Sequence, residues 1–487
     1  MAQLVVFIVG VLGMVLELVG VRVLAPYLGS SLIVWTSIIG VFLGSLSLGY
    51  YLGGRLSQKA GKNSLGFILA GICLFILTEG LFKEVVLAQI AGLGDLRTSS
   101  FLAATYLFFV PGVLMGSTLP VVIATSTDGV ESPGRLAGRL YAFSTVGSIV
   151  GTFLGGFYLI PTFGTNSIFF LLGVSSGVLA LLVVGGGGVK KYLILPGAFF
   201  LSFFVVSSTS LPPGVIADVD SPYGRLIVKE FSEEQTGRGV IALTTARGAA
   251  QSMAYADGGS DLAAPYTRFF RLAQSFNPSI SKALMIGGGA YSYPKVFLKE
   301  NPKATIDVVE IDPQMTKLAR KYFNLKDDER LRIYHQDARI YLNANSNVKK
   351  YDAIYVDVFG SAAIPPFSIT TKEALQKLDN MLENGGVVAT NAVSAINGIN
   401  SQMLKSQYAT HKAVFKRVFA FKIRESLPDY LVQNIMLVAT NSDSVITSEE
   451  FFDKLREASL IEEQLLKGRG VVLTDDFAPI EYYARWF

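Results

Sequence analysis

Hydrophobic positions follow two different rhythms along this chain of 487 residues. Before residue 210 they form long, nearly unbroken blocks near 3–25, 33–54, 64–82, 100–125, 138–160 and 166–185, with a shorter seventh near 192–208. A helix needs about 20 apolar residues to cross bilayer hydrocarbon, so the pattern predicts six spans and a shorter seventh segment. After residue 210 the apolar stretches are short. Residues 283–287, 304–311, 331–335, 352–357 and 386–391 read as buried strands, and 292–300, 313–323, 370–383 and 401–419 as helices. From Ser221 to Tyr266, brief alternating segments separated by glycines suggest a small antiparallel β unit. Strands alternating with helices imply a mostly parallel, doubly wound Rossmann-like sheet whose ligand lies at the carboxyl ends of the strands. A Ser/Pro-rich break at 207–213 divides the chain into a transmembrane helical domain (1–210), a small β-rich unit (211–275) and a Rossmann-like domain (276–487).

Composition sharpens this division. The chain is 51% hydrophobic and 16% charged, too apolar for an ordinary soluble protein. Of 42 basic and 38 acidic residues, only ten and six precede residue 211, so the net +4 belongs to the helical part. A small skew confined to loops reports topology, and it gives no reason to expect nucleic acid. One cysteine, Cys73, and two histidines, His335 and His411, leave no material for a disulfide framework, and a metal site is not expected. The first block lacks a basic leader and carries Glu17 and Arg22, which argues against a removed signal peptide.

Within the helical part, Gly40/Gly44, Gly49/Gly53 and Gly147/Gly151/Gly155 recur at four-residue spacing and allow close helix packing. Glu17, Arg22 and Glu79 are costly in hydrocarbon and are expected to face one another, a cavity or an interface. Arg55, Lys59, Lys62, Arg135, Arg139, Lys190 and Lys191 fall in even-numbered loops, which the positive-inside rule assigns to the cytoplasm. A spanning seventh segment would then put the last domain outside the cell. The stretch from Gly54 to Lys62, with Arg135, Arg139 and the glycines from 147 to 156, resembles the first half of a major-facilitator transporter; it departs from that family at Gln58, and no second six-helix half follows.

The chemistry concentrates in the α/β part. Gly287-Gly288-Gly289 ends the first strand and lets a ligand approach bare backbone. Twenty-three positions after Gly287, Glu310 ends the second strand, where its carboxylate can accept two ribose hydroxyls. Ala290-Tyr291-Ser292 breaks the Gly-x-Gly-x-x-Gly dinucleotide pattern, so a nucleoside without pyrophosphate fits better than a dinucleotide. Asp337-Ala338, after the third strand, suits an adenine amino group, and Asp357 ends the fourth strand beside the crevice. Pro313 makes Asp312 the cap of the following helix. His335 reads as a strand-face residue.

Taken in order, Ser221-Pro222-Tyr223, Gln251-Ser252, the glycine turn, Glu310-Ile311-Asp312, Asp337-Ala338, Tyr351-Asp352 through Asp357, and Leu473 to Pro479 resemble the spermidine synthase (polyamine aminopropyltransferase) family in a membrane-fused form. The resemblance implies transfer of an aminopropyl-type group from decarboxylated S-adenosylmethionine, with methylthioadenosine as product. It assigns Gln251 to the sulfonium side, Glu310 to the ribose, Asp337 to the adenine and Asp357 to the catalytic carboxylate. A homodimer is a further expectation from soluble members.

The departures define the open question. Ala290 stands where the family has an aspartate for the donor's ammonium, and Gly360 replaces the second acid of its Asp-x-x-Asp motif. Thr267-Arg268 replaces a polar-acidic pair after Tyr266, so Tyr266 and Arg268 are expected in the acceptor site, with Arg268 suited to a carboxylate. Pairing of Arg268 with Asp261 or another surface acid is the alternative. S-adenosylmethionine and its decarboxylated form both stay open as co-substrate. The function reads as an integral-membrane, spermidine-synthase-like transferase acting on a small molecule. The alternatives are an S-adenosylmethionine-dependent methyltransferase and a non-catalytic transporter or sensor. The side of the bilayer facing the catalytic domain stays undecided, because loop charges and an intracellular cofactor point opposite ways.

Overall fold

The computed structural model describes residues 1–184 and 211–483, apart from 30, 60–61, 127–131, 234–235, 246–249, 260, 360–363, 443–458, 462–465, 467 and 469. The seventh apolar segment near 192–208 and Gly360 lie outside the described residues. The chain forms two compact units, Met1–Pro212 with Val219–Gly224, and Pro213–Asp218 with Arg225–Phe487. The β-rich segment and the α/β sheet thus belong mainly to one unit.

The first unit is a bundle of long helices: α1 (Ala2–Leu28), α2 (Leu32–Leu56), α3 (Lys62–Ala91), α4 (Leu96–Thr125), α5 (Pro133–Leu154) and α6 (Thr165–Val184). A π-helical turn, Gly155–Leu159, continues α5. Among the described residues, six helices have the length and composition to cross a membrane. Helix α3 runs about two turns beyond its expected end, because Lys83 is drawn into the interior. Its Nζ donates to the Gly80 carbonyl at 3.2 Å and to Asn166 Oδ1 on α6. Glu79, one turn earlier, is buried, with Oε2 lacking a hydrogen-bond partner among the described residues.

The glycine spacings divide into two groups. A Cβ at Gly49 would stand 2.3 Å from the Val113 carbonyl, and one at Gly147 would stand 2.1 Å from that of Phe7, so these positions bring backbones into contact. Gly40 and Gly44 face open space within the bundle's own structure.

The second unit begins with an antiparallel sheet of four strands in sequential order, β1 (Val215–Asp220), β2 (Arg225–Ser232), β3 (Gly239–Thr244) and β4 (Ser252–Tyr255). A seven-stranded sheet follows in the order β10-β11-β9-β8-β5-β6-β7. Strands β5 (Lys282–Ile286), β6 (Thr305–Val309), β7 (Leu331–Tyr334), β8 (Tyr351–Val356) and β9 (Leu382–Ser394) are parallel. Strands β10 (Arg417–Lys422) and β11 (Gln433–Thr440) add an antiparallel edge. The helices between them are α7 (Ser292–Glu300), α8 (Pro313–Tyr322), α9 (Ala338–Asn345), α10 (Lys372–Asn380) and α11 (Gln402–Lys412). The fold class is the expected Rossmann-like one. Its chain order reverses at β5, between β6 and β8, which opens the crevice where such sheets bind ligands.

Two elements differ from the sequence pattern. The helix expected over 401–419 stops at Lys412, and 417–422 is strand β10, because Val418, Ala420 and Phe421 bury against the cores on the two sheet faces. Helix α9 and strand β11 were not marked by the pattern. Helix starts follow local chemistry: Asp312, Asp337 and Thr371 each accept a backbone N–H of the next turn.

Candidate active site

The turn after β5 is made possible by its glycines. Gly287 has φ +93°, and a Cβ there would lie 2.0 Å from the Asp357 carbonyl; Gly289 has φ +50°, with a would-be Cβ 2.5 Å from Ser252 Oγ. The end of β5 can therefore touch the chain leaving β8. Side chains would need strained backbone and would push the two strand ends apart.

Glu310 lies directly across this turn. Its Oε2 accepts from Gly288 N at 2.9 Å and Gly289 N at 3.1 Å, and its Oε1 accepts from Asp312 N at 2.9 Å. The carboxyl is buried, and burial raises its pKa against the pull of these three N–H groups. A carboxylate offers about four acceptor positions, so the protein's own amides use three. Beside these three amides, about one acceptor position of the carboxylate is left over for a ligand hydroxyl. Glu310 is also the anchor of the glycine turn.

Asp337 Oδ1 accepts from Ile340 N at 3.0 Å and starts α9, with Ala338 as its first residue. Arg339, next in the chain, bonds the Ser368 carbonyl at 2.9 Å and the carboxylate of Asp475. Asp475 also accepts from Thr371 Oγ1 at 2.7 Å. The Leu473–Pro479 motif thus ties down the helices that start beside the crevice.

The second half of the site is built from side chains. Asp357 Oδ2 is 3.0 Å from Tyr266 Oη, and its Oδ1 accepts from Asn391 Nδ2 at 2.9 Å. Asn391 Oδ1 in turn accepts from Asn434 Nδ2 at 3.1 Å. Burial pushes the Asp357 carboxyl up to about 6, against the lowering effect of these hydrogen bonds. Tyr266 Oη also lies 3.0 Å from the Gln251 carbonyl. One phenolic proton thus serves two acceptors. With Asp357 ionised, Tyr266 donates to the carboxylate; with Asp357 protonated, the acid donates to Tyr266 Oη and the phenol turns to Gln251. Tyr266 itself is held un-ionised by burial and by the charge of Asp357.

Ser252 links the halves, because its Oγ accepts from Ala290 N at 3.1 Å. Ala290 is fully buried and presents no polar group. Gln251 enters through its carbonyl, while Arg268 is not gathered into this cluster. It lies two residues from Tyr266 on the short helix Pro265–Arg268, a spacing that puts the two on opposite sides. Arg268 is exposed and its Nε donates to the Leu262 carbonyl at 2.9 Å. Asp261 pairs with Arg238 at 2.9 Å.

Sequence reasoning missed Asn391 and Asn434. A polar pair, Thr390-Asn391, between the apolar runs Val387–Ala389 and Ala392–Val393 was the available signal. The histidines are separate from this cluster. His335 Nε2 is 2.9 Å from Thr316 Oγ1, which is 2.7 Å from Tyr291 Oη. Buried His411 lies on α11 between Gln407 and Thr390.

The doubly wound sheet thus brings a buried acid against the glycine turn and a second buried carboxyl to the neighbouring strand end, at the place where such sheets bind ligands. Residues 269–474 match the family model for the spermine/spermidine synthase domain. A polyamine aminopropyltransferase of Vibrio vulnificus is 27% identical over 226 residues, 44% of this chain and 74% of that one. Polyamine aminopropyltransferase 2 of Aquifex aeolicus is 25% identical over 405 residues, 80% of this chain and 78% of that one. This second match is longer than the part after residue 210, so it reaches into the helical unit. The eEF1A lysine and N-terminal methyltransferase of Xenopus laevis is 29% identical over 194 residues, 38% of this chain and 26% of that one. The chain thus spans about three quarters of the first relative and about a quarter of the methyltransferase. The chain is a transferase whose residues 269–474 are similar to the spermine/spermidine synthase domain and to parts of both aminopropyltransferases and methyltransferases.

Proposed function

We propose that the protein is a membrane-anchored transferase that binds an S-adenosylmethionine-derived nucleoside, moves its aminopropyl-type alkyl group to an amine acceptor and releases methylthioadenosine. The observation that carries this reading is the buried carboxyl of Asp357, held between Tyr266 and Asn391 beside the turn that Glu310 anchors. A sulfonium makes its neighbouring carbon electrophilic. The protein's work is to hold donor and acceptor in line and to take a proton from the attacking amine. Asp357 is placed to take that proton at Oδ2, with Tyr266 turning its own proton toward Gln251 as this happens. Among the described residues Asp357 is the one acid hydrogen-bonded to Tyr266 and Asn391, which favours an acceptor with a single reacting amine over a diamine held by paired carboxylates.

Ala290 favours a second reading, methyl transfer from intact S-adenosylmethionine, because it removes the expected partner of a decarboxylated donor's ammonium. Incubation of the purified full chain with each donor and a set of amines separates the two. Methylthioadenosine as product supports alkyl-chain transfer, S-adenosylhomocysteine supports methylation, and tight nucleoside binding without turnover favours a sensor. Retention of the chain in membranes after alkaline carbonate washing tests the anchoring.

A further inference from the structure

Strand β4 and helix α7, which support the glycine turn on one side, also wall a separate cleft. Ser292 Oγ, at the start of α7, donates to the Met253 carbonyl of β4 at 3.0 Å and joins the two walls. With the segment from the end of α8 to the start of β7, they enclose about 550 Å³, the size of a small-molecule site. Tyr255, Val296, Leu298, Phe323 and Leu325 supply apolar lining.

The charges around this cleft are unevenly satisfied. Its three acids are each paired: Asp261 with Arg238 at 2.9 Å, Asp327 with Arg320 at 2.8 Å and Asp328 with Arg330 at 2.7 Å. Arg330 is further held by the carbonyls of Leu298 and Pro302. Lys295 differs. Its half-buried Nζ donates to the Phe323 carbonyl, a neutral acceptor, and it has no carboxylate partner among the described residues. Lys326, exposed on the rim, has none among them either. Burial pushes the Lys295 ammonium down to about 8, the response of a cation whose countercharge is missing.

We propose that this cleft is a second binding site, for a small molecule carrying a phosphate or carboxylate group that Lys295 and Lys326 receive while its apolar portion lies against Val296 and Leu298. The occupant would press β4 against α7, behind the turn that holds Glu310.

Reductive labelling of the full chain in detergent tests this directly. Pyridoxal 5′-phosphate forms an imine with a lysine amine and releases water, and borohydride fixes it for peptide mapping. Lys295 is expected to label first, with a preference for pyridoxal 5′-phosphate over pyridoxal roughly tenfold above that of exposed lysines in the same chain, the factor that about 1.4 kcal/mol of charge attraction gives. K326A is expected to shrink that preference, and K295M to abolish the label at unchanged basal turnover. Protection by inorganic phosphate assigns a phosphate ligand, and protection by citrate assigns a carboxylate. Equal labelling by both aldehydes, labelling spread over exposed lysines, or protection by neither anion overturns the proposal.

Discussion

The two halves of the active site are made of different materials. Around Glu310 the partners are backbone amides, those of Gly288, Gly289 and Asp312. Around Asp357 they are side chains from distant parts of the chain, Tyr266, Asn391 and, behind it, Asn434. A half built from backbone is fixed by the strand–turn–helix geometry and tolerates sequence change outside the glycines. A half built from side chains can be retuned by single substitutions.

The largest expected effect is on the side-chain half. D357N removes the base and should lower kcat by about 10²–10⁴, with nucleoside affinity measured by calorimetry unchanged. Because burial raises the folded carboxyl to about 6, the base form appears as pH climbs through that value, and the rate should rise along the same limb. The sign for stability is opposite. The contribution of Asp357 is fully present below the unfolded value of about 3.9 and is lost as pH rises through about 6. D357N should therefore unfold at a higher temperature than the parent at pH 8. A lower unfolding temperature would show that the carboxylate is structural.

Next comes E310A, which leaves three N–H donors without their acceptor at a cost of about 1–3 kcal/mol. It should lower both unfolding temperature and nucleoside affinity, whereas loss of affinity alone would deny the anchoring role. N391A is expected to act more subtly. It removes a hydrogen bond that lowers the Asp357 pKa, so the acid limb of the pH–rate profile should move upward from about 6 while the plateau changes only a few-fold. An unmoved limb would detach Asn391 from the base, and recovery in N391Q would support the positioning role. The smallest effect is expected from T316V, which breaks the link between Tyr291 and His335. It should cost about 1 kcal/mol of stability and leave the pH profile in place.

Legibility in the sequence followed the same division. The apolar blocks gave the six helices, and the strand–helix alternation gave the parallel part of the sheet. Gly287 to Gly289, Glu310 and the Asp312 cap were readable because each acts within a few residues of a strand end. The antiparallel edge of β10 and β11 was not readable, since 401–419 continues a helical pattern that only packing against both sheet faces interrupts. The role of Arg268 was also misjudged from its neighbours, because two residues of helix turn it away from Tyr266.

By itself, then, the sequence determined a helical part suited to a membrane, a doubly wound sheet, and a glycine turn with an acid opposite. Periodicity and strand-end chemistry are local properties of consecutive residues. The tertiary structure alone decided that Gln251, Tyr266, Asp357, Asn391 and Asn434 meet, that Glu310 spends three of its acceptor positions on the protein's own backbone, and that Lys295 stands in a cleft without a countercharge among the described residues. Those facts depend on which strands become neighbours, and hydrogen bonds between residues up to 91 positions apart leave no periodic trace in the chain.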